Sequence, residues 1–146
     1  MKRQTSLRPV ARSHRPKGYP RRRRDGPIVD PAPALFALTV AFVTVHELDA
    51  VRNHEWRFFF APFGVSDDPA YRAFTALHVP LFAFVLTLYS LPAFQTGFDV
   101  FAVAHGGLHL ALRNHPLVEF SGWFSRLWIY GASVLGGLHL FSVVVL

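Results

Sequence analysis

His105 and His109 stand four residues apart in HGGLHLAL. That spacing sets two side chains on one face of a helix and is the usual one for two helical metal ligands. Upstream, VTVHELDAVRNHEWRFFF carries His46, Glu47, Asp49, Asn53 and His54 inside a largely apolar run. His78 in ALHVPLF and His139 in GGLHLF add two more imidazoles in apolar surroundings. Imidazole and carboxylate ligands suit Zn, Fe, Mn or Cu. The same groups also hydrogen-bond between packed helices, or build proton paths. HELDA is not a zincin motif, because Ala50 stands where HExxH needs its second histidine. The chain has no cysteine, which removes thiolate metal sites, thiol nucleophiles and disulfides.

These residues need elements to hold them, and the composition points to helices in lipid. Of the 146 residues 51% are hydrophobic, 15 of them Phe, and only 16% are charged. Soluble domains carry about a quarter charged residues. The charge is also segregated, since 10 of the 15 Lys and Arg precede Asp25. Residues 1–33, with RRRR at 21–24 and PAP at 31–33, cannot bury enough apolar surface to offset their ordering entropy and read as a disordered basic tail. The tail has no interleaved aromatics beyond Tyr19 and no recognition module. It therefore fits anionic headgroups better than a specific nucleic acid.

After the tail come four apolar blocks, about 34–60, 71–94, 97–113 and 123–146, in a single membrane domain over 34–146. A spanning helix needs about 20 mostly apolar residues, and lipid leaves helices as the only choice for an open chain. The second and fourth blocks meet the length easily, and the third borrows Gly97 and Arg113 at its ends. Trp56, Trp123 and Trp128 fall near the proposed ends, where interfacial aromatics belong. No small-x-small site follows the core Ala34–Val45, so it does not read as a signal peptide. The expectation is an all-α, antiparallel four-helix transmembrane bundle, multi-pass in the cell membrane.

On a continuous first helix His46, Glu47, Asp49, Asn53, His54 and Arg57 share one wedge of about 160°. Arg52, Glu55 and Trp56 lie outside that wedge, the two charged residues near enough to the end to snorkel to headgroups. At 1.5 Å rise per residue, His54, His78, His105 and His109 fall roughly 7 to 13 Å from one membrane face. Glu47 and Asp49 lie a turn deeper, while His46 and His139 form a deeper pair at about 20 to 25 Å. The candidate metal set is therefore His54, His78, His105, His109, Glu47 and Asp49, with His46 and His139 beyond it. Zn or Fe is the expected ion. A haem held by two histidines is the competing cofactor, with His46 and His139 or His78 and His105 as axial ligands. Membrane hydroxylases and desaturases also carry His-rich sites, but the chain lacks their HxxHH boxes. Two further readings stay open: histidines that only tie helices together, and a proton-relay or transport component. Four helices are few for a carrier, so transport would need a homo-oligomer.

The glycines of GGLHL, at 106–110 and again at 136–140, would let helices approach closely beside a histidine.

The run HELDAVRNHEWRFFF, the later HVPLF and the histidine pair at 105 and 109 resemble a family of short, uncharacterised four-helix membrane proteins of prokaryotes. The resemblance covers about residues 35–146 and leaves the basic tail outside. It implies the topology and importance for His46, Glu47, Asp49, His54, Glu55 and Trp56, and it supplies no reaction.

Charge gives two opposed votes on orientation. Arg52, Arg57, Arg72, Arg113 and Arg126 cluster at one face, while the LPAFQTGFD connection at the other has no basic residue. Positive charge stays inside, so the short loops put that Arg-bearing face in the cytoplasm. The basic tail votes the other way, unless the natural chain starts near Val29. The loop charges, spread over several helix ends, carry more weight.

Overall fold

The computed structural model describes residues 30–118 and 122–145, and most of the basic tail (residues 1–29) lies outside them. The elements are α1 (Ala32–Arg52), α2 (Trp56–Phe60), a 3-10 turn (Ala61–Phe63), α3 (Asp67–Leu88), α4 (Pro92–Ala111) and α5 (Trp123–Val145). Among the described residues the architecture is all-α.

The first apolar block is not one helix. α1 stops at Arg52, and residues 53–55 make a tight turn in which His54 takes a left-handed φ of 58°. Nothing in RNHEW supplies a glycine or proline at this break. A non-glycine residue in this conformation is held there only by the packing around it. The next breaks carry ordinary signals. Gly64, with φ 72°, ends the 3-10 turn, and Ser66 is extended before α3, whose first turn holds Asp67 and Asp68 against the positive end of the helix dipole. Pro92 begins α4 rather than breaking it, since a proline at the first helical position loses no hydrogen bond. The linker before α4 is accordingly shorter than LPAFQTG suggests.

The core is built by α1, α4 and α5. α1 buries Phe36, Thr39, Val43, His46 and Ala50, and α5 buries Ser125, Ile129, Ala132, Gly136 and His139. Alternating steps of three and four give a seam suited to bundle-like packing. α4 follows the same rule with Asp99, Ala102, Gly106 and His109. Two glycines set how near α4 and α5 come. A Cβ on Gly106 would overlap the Ser133 side chain, and one on Gly136 would sit 3.3 Å from the Ala102 Cβ. Ser133 Oγ uses this closeness to donate to the Ala102 carbonyl across the interface, 2.9 Å away.

α3 stands apart. Its buried residues are Ala70 and Val85 alone. It is tied mainly at its start, by packing on α2 and by Arg57, whose guanidinium donates to both Asp67 oxygens at 3.2 and 2.6 Å. α1, α3 and α5 are long and apolar enough to cross a membrane by length and composition. α4, with Gln95, Asp99, His105 and His109, falls outside that group.

Candidate metal centre

The seam of α1 turns His46 into the interior, where it is 1% exposed. From α4, His105 and His109 reach the same point from adjacent turns. The Nε2 atoms of His46 and His105 lie 2.8 Å apart, and those of His109 and His105 lie 3.2 Å apart. One ligand atom from each of the three histidines fits within 4.8 Å of the others. The turn at 53–55 then delivers a carboxylate. Glu55 Oε1 is 3.5 Å from His109 Nε2, and Glu55 Oε2 is 4.0 Å from His46 Nε2. Glu55 is 9% exposed. Burial pushes its carboxyl up to about 8, and the Glu47 and Asp49 carboxylates act in the same direction. Ligands at about 2.1 Å from a tetrahedral ion stand about 3.4 Å from one another. The distances among these four groups bracket that value.

Glu55 faces inward, which corrects the outer, snorkelling position expected on an unbroken first helix. The left-handed His54 redirects the chain and folds Glu55 back under α1. Trp56 turns inward at the same break, is 6% exposed, and packs edge-on against His54 and Tyr71.

The remaining candidates fall into separate arrangements. His78 Nδ1 donates to the Phe74 carbonyl at 2.8 Å, and its Nε2 meets Glu47 Oε2 at 3.1 Å. Because Nδ1 must carry a proton for the first bond, the second bond holds either a neutral carboxyl or an imidazolium. Asp49 accepts from Asn53 Nδ2 at 2.9 Å, and Asn53 reaches Ser125 on α5 at 3.4 Å, so this group ties α1 to α5. His139 pairs with Asp99, Nδ1 to Oδ2 at 2.6 Å, in a fully enclosed contact between α5 and α4. His46 and His139, grouped by depth in the sequence, thus have different partners, and His46 joins the α4 pair instead. Asp99 escaped the sequence reading, although its spacing to Ala102, Gly106 and His109 puts it on the buried face.

A cavity of about 310 Å³ opens beside the cluster, bordered by Glu47, Glu55, His105 and His109 and otherwise by apolar side chains such as Phe58 and Phe101. An ion held by the three histidines would thus have a route to a ligand from outside the protein.

A family model described as a family of unknown function, DUF6713, matches residues 32–146. The chain belongs to this family. The DUF6713 match begins at the first residue of α1 and includes all four converging groups. No curated protein matches the chain, and no solved structure does.

Proposed function

We propose that this chain is a multi-pass membrane protein that binds a transition-metal ion, Zn or Fe, through His46, His105 and His109, with Glu55 as the fourth group. The observation that carries the reading is the convergence of three imidazole nitrogens and a buried carboxylate on one point. One proton between two imidazole nitrogens can satisfy a single pair at a time, whereas a cation is met by all three nitrogens at once. Nitrogen and carboxylate donors without thiolate suit Zn or Fe(II). A haem takes two imidazoles facing across a flat macrocycle, so a three-histidine convergence favours a single ion. Three histidine nitrogens and one carboxylate leave room for a further ligand where coordination expands to five, as catalytic sites allow, and the cavity beside Glu55 supports access for that ligand.

The membrane setting is supported by three helices of spanning length and by large apolar side chains left exposed along them, among them Leu48, Leu77, Val79, Leu86, Val134 and Val144. So much exposed apolar surface is incompatible with a well-behaved monomer in water. In this reading α1, α3, α4 and α5 form an antiparallel four-helix bundle, and the Arg-bearing end faces the cytoplasm.

Elemental analysis of detergent-purified wild-type protein and of His46→Ala and His109→Ala tests the metal. About one ion per chain in the wild type and loss in both variants is the expected result. Equal trace metal in all three would mean that the histidines only tie α1 to α4.

A further inference from the structure

The cavity at the metal centre does not end there. It shares Phe101 with a second cavity of about 400 Å³, lined by Leu81 and Phe84 of α3 and by Ala93, Phe94 and Gly97 of α4. A third, about 380 Å³, shares Glu47, Phe59 and Phe74 with the first and Leu81 with the second. All lie along α3, which buries the fewest residues of the four long helices described, and two of them also border α4. Together they trace a groove open to the side, where α3 stands off from the core.

The polarity of this groove is one-sided. At the metal end it meets Glu47, Glu55, His105 and His109, with His78 bonded to Glu47 at the same level, and from Phe101 onward its α4 wall is apolar. From Phe101 to Ala93 this apolar wall runs about 12 Å at 1.5 Å per residue, and about 18 Å when counted from His105 at the metal end. Half of a bilayer's hydrocarbon core is about 15 Å thick. A site with polar groups only at one end and an apolar trough of one leaflet's depth matches a molecule of the same build. Each cavity lies in the roughly 300 to 1,000 Å³ range of ligand pockets.

We infer that the ligand of this site is a long-chain amphiphile of acyl type, its oxygen-bearing head at the metal and its tail in the groove between α3 and α4. This rests on the metal reading above. Lipid enters sideways past α3, which needs no opening of the core because α3 barely packs on it. A water-soluble substrate of the same head chemistry would leave the groove without a purpose.

The test uses full-length protein in detergent, loaded with Co(II) in place of the native ion, so that visible bands report the coordination sphere. Dodecanohydroxamic acid and acetohydroxamic acid share a metal-binding head and differ in tail. The long probe should shift the cobalt bands at a concentration at least tenfold lower than the short one. Gly97→Phe should remove that advantage while leaving the cobalt spectrum itself intact, since a Cβ at Gly97 meets nothing within 4 Å and the added ring projects into the trough. Leu81→Trp fills the groove from the α3 side and serves as the second variant. Equal potency of the two probes, or an undiminished long-chain advantage in both variants, overturns the inference while the metal site stands. Absence of any cobalt spectrum overturns the metal reading, and this inference with it.

Discussion

Glu55 Oε1 lies 3.5 Å from His109 Nε2, joining the turn after α1 to the last turn of α4. The contact exists only because α1 ends at Arg52 and the chain doubles back through His54. It makes Glu55 the group whose removal should separate ligand chemistry from packing. Glu55→Gln keeps the volume and the hydrogen-bonding capacity but cannot ionise to meet a cation. Metal affinity should fall at least tenfold, with the thermal midpoint of the metal-free protein changed little. His46→Ala should cost more, on the order of 100-fold, because it removes one of the three converging imidazoles outright rather than exchanging one oxygen for an amide; competition with a chromophoric chelator measures both.

Metal binding should tighten as pH rises. Glu55, held up to about 8, keeps its proton at neutral pH in the metal-free protein, and an ion must displace it. The sign for stability is opposite. Between about 4.5 and about 8 the folded metal-free chain holds a proton that the unfolded chain has released. That contribution is therefore fully present at low pH and is lost as pH climbs through the folded value. Cobalt titrations at about pH 6 and about pH 8 should show the higher affinity at the higher pH, with protons released on binding. Affinity independent of pH would remove Glu55 from the ligand set.

The Glu47–His78 pair should behave as an interhelical tie. His78→Ala should lower stability by about 0.6 to 1.7 kcal/mol, the range of such bonds between membrane helices, and leave metal content unchanged. Glu47→Gln should be milder, because the amide can donate to a neutral His78. Loss of metal in His78→Ala would bring His78 back into the site.

Two neighbouring glycines predict opposite outcomes. Gly106→Val drives a side chain into Ser133 and should destabilise by about 1–3 kcal/mol, as overpacked interiors do. Gly107 has nothing within 4 Å of a built Cβ, so Gly107→Ala should be neutral or should stabilise by up to about 1 kcal/mol through helix propensity. Thermal unfolding in detergent, followed by circular dichroism, reads both.

Helix content and the apolar lengths were legible because lipid-compatible composition and 3.6-residue periodicity act locally. The pairing of His105 with His109 on one face follows from spacing alone. His46 was placed on the correct polar wedge but at the wrong depth group, since rise per residue says nothing about how far α1 and α4 slide past each other. What could not be read was the break at 53–55. No turn residue marks it, and His54 adopts a strained φ that only surrounding contacts such as Trp56 can maintain. A helical wheel does not hold across this break, so Glu55 and Trp56 face inward where an unbroken helix would turn them outward.

The enclosed Asp99–His139 contact bears on how the chain is made. An unpaired Asp at the centre of a nascent helix costs roughly 3 kcal/mol to pass from the insertion machinery into lipid. α4 carries that burden together with His105 and His109, and it is the long helix that fails to qualify as a span on its own apolar content. α5 brings the imidazole that hydrogen-bonds Asp99, and it is synthesised after α4. On the membrane reading proposed above, α4 should wait for α5, and the two should leave the translocation channel as a hairpin. A chain halted before Trp123 should stall with α4 unintegrated, whereas the full chain, or an Asp99→Leu version of the halted one, should insert it.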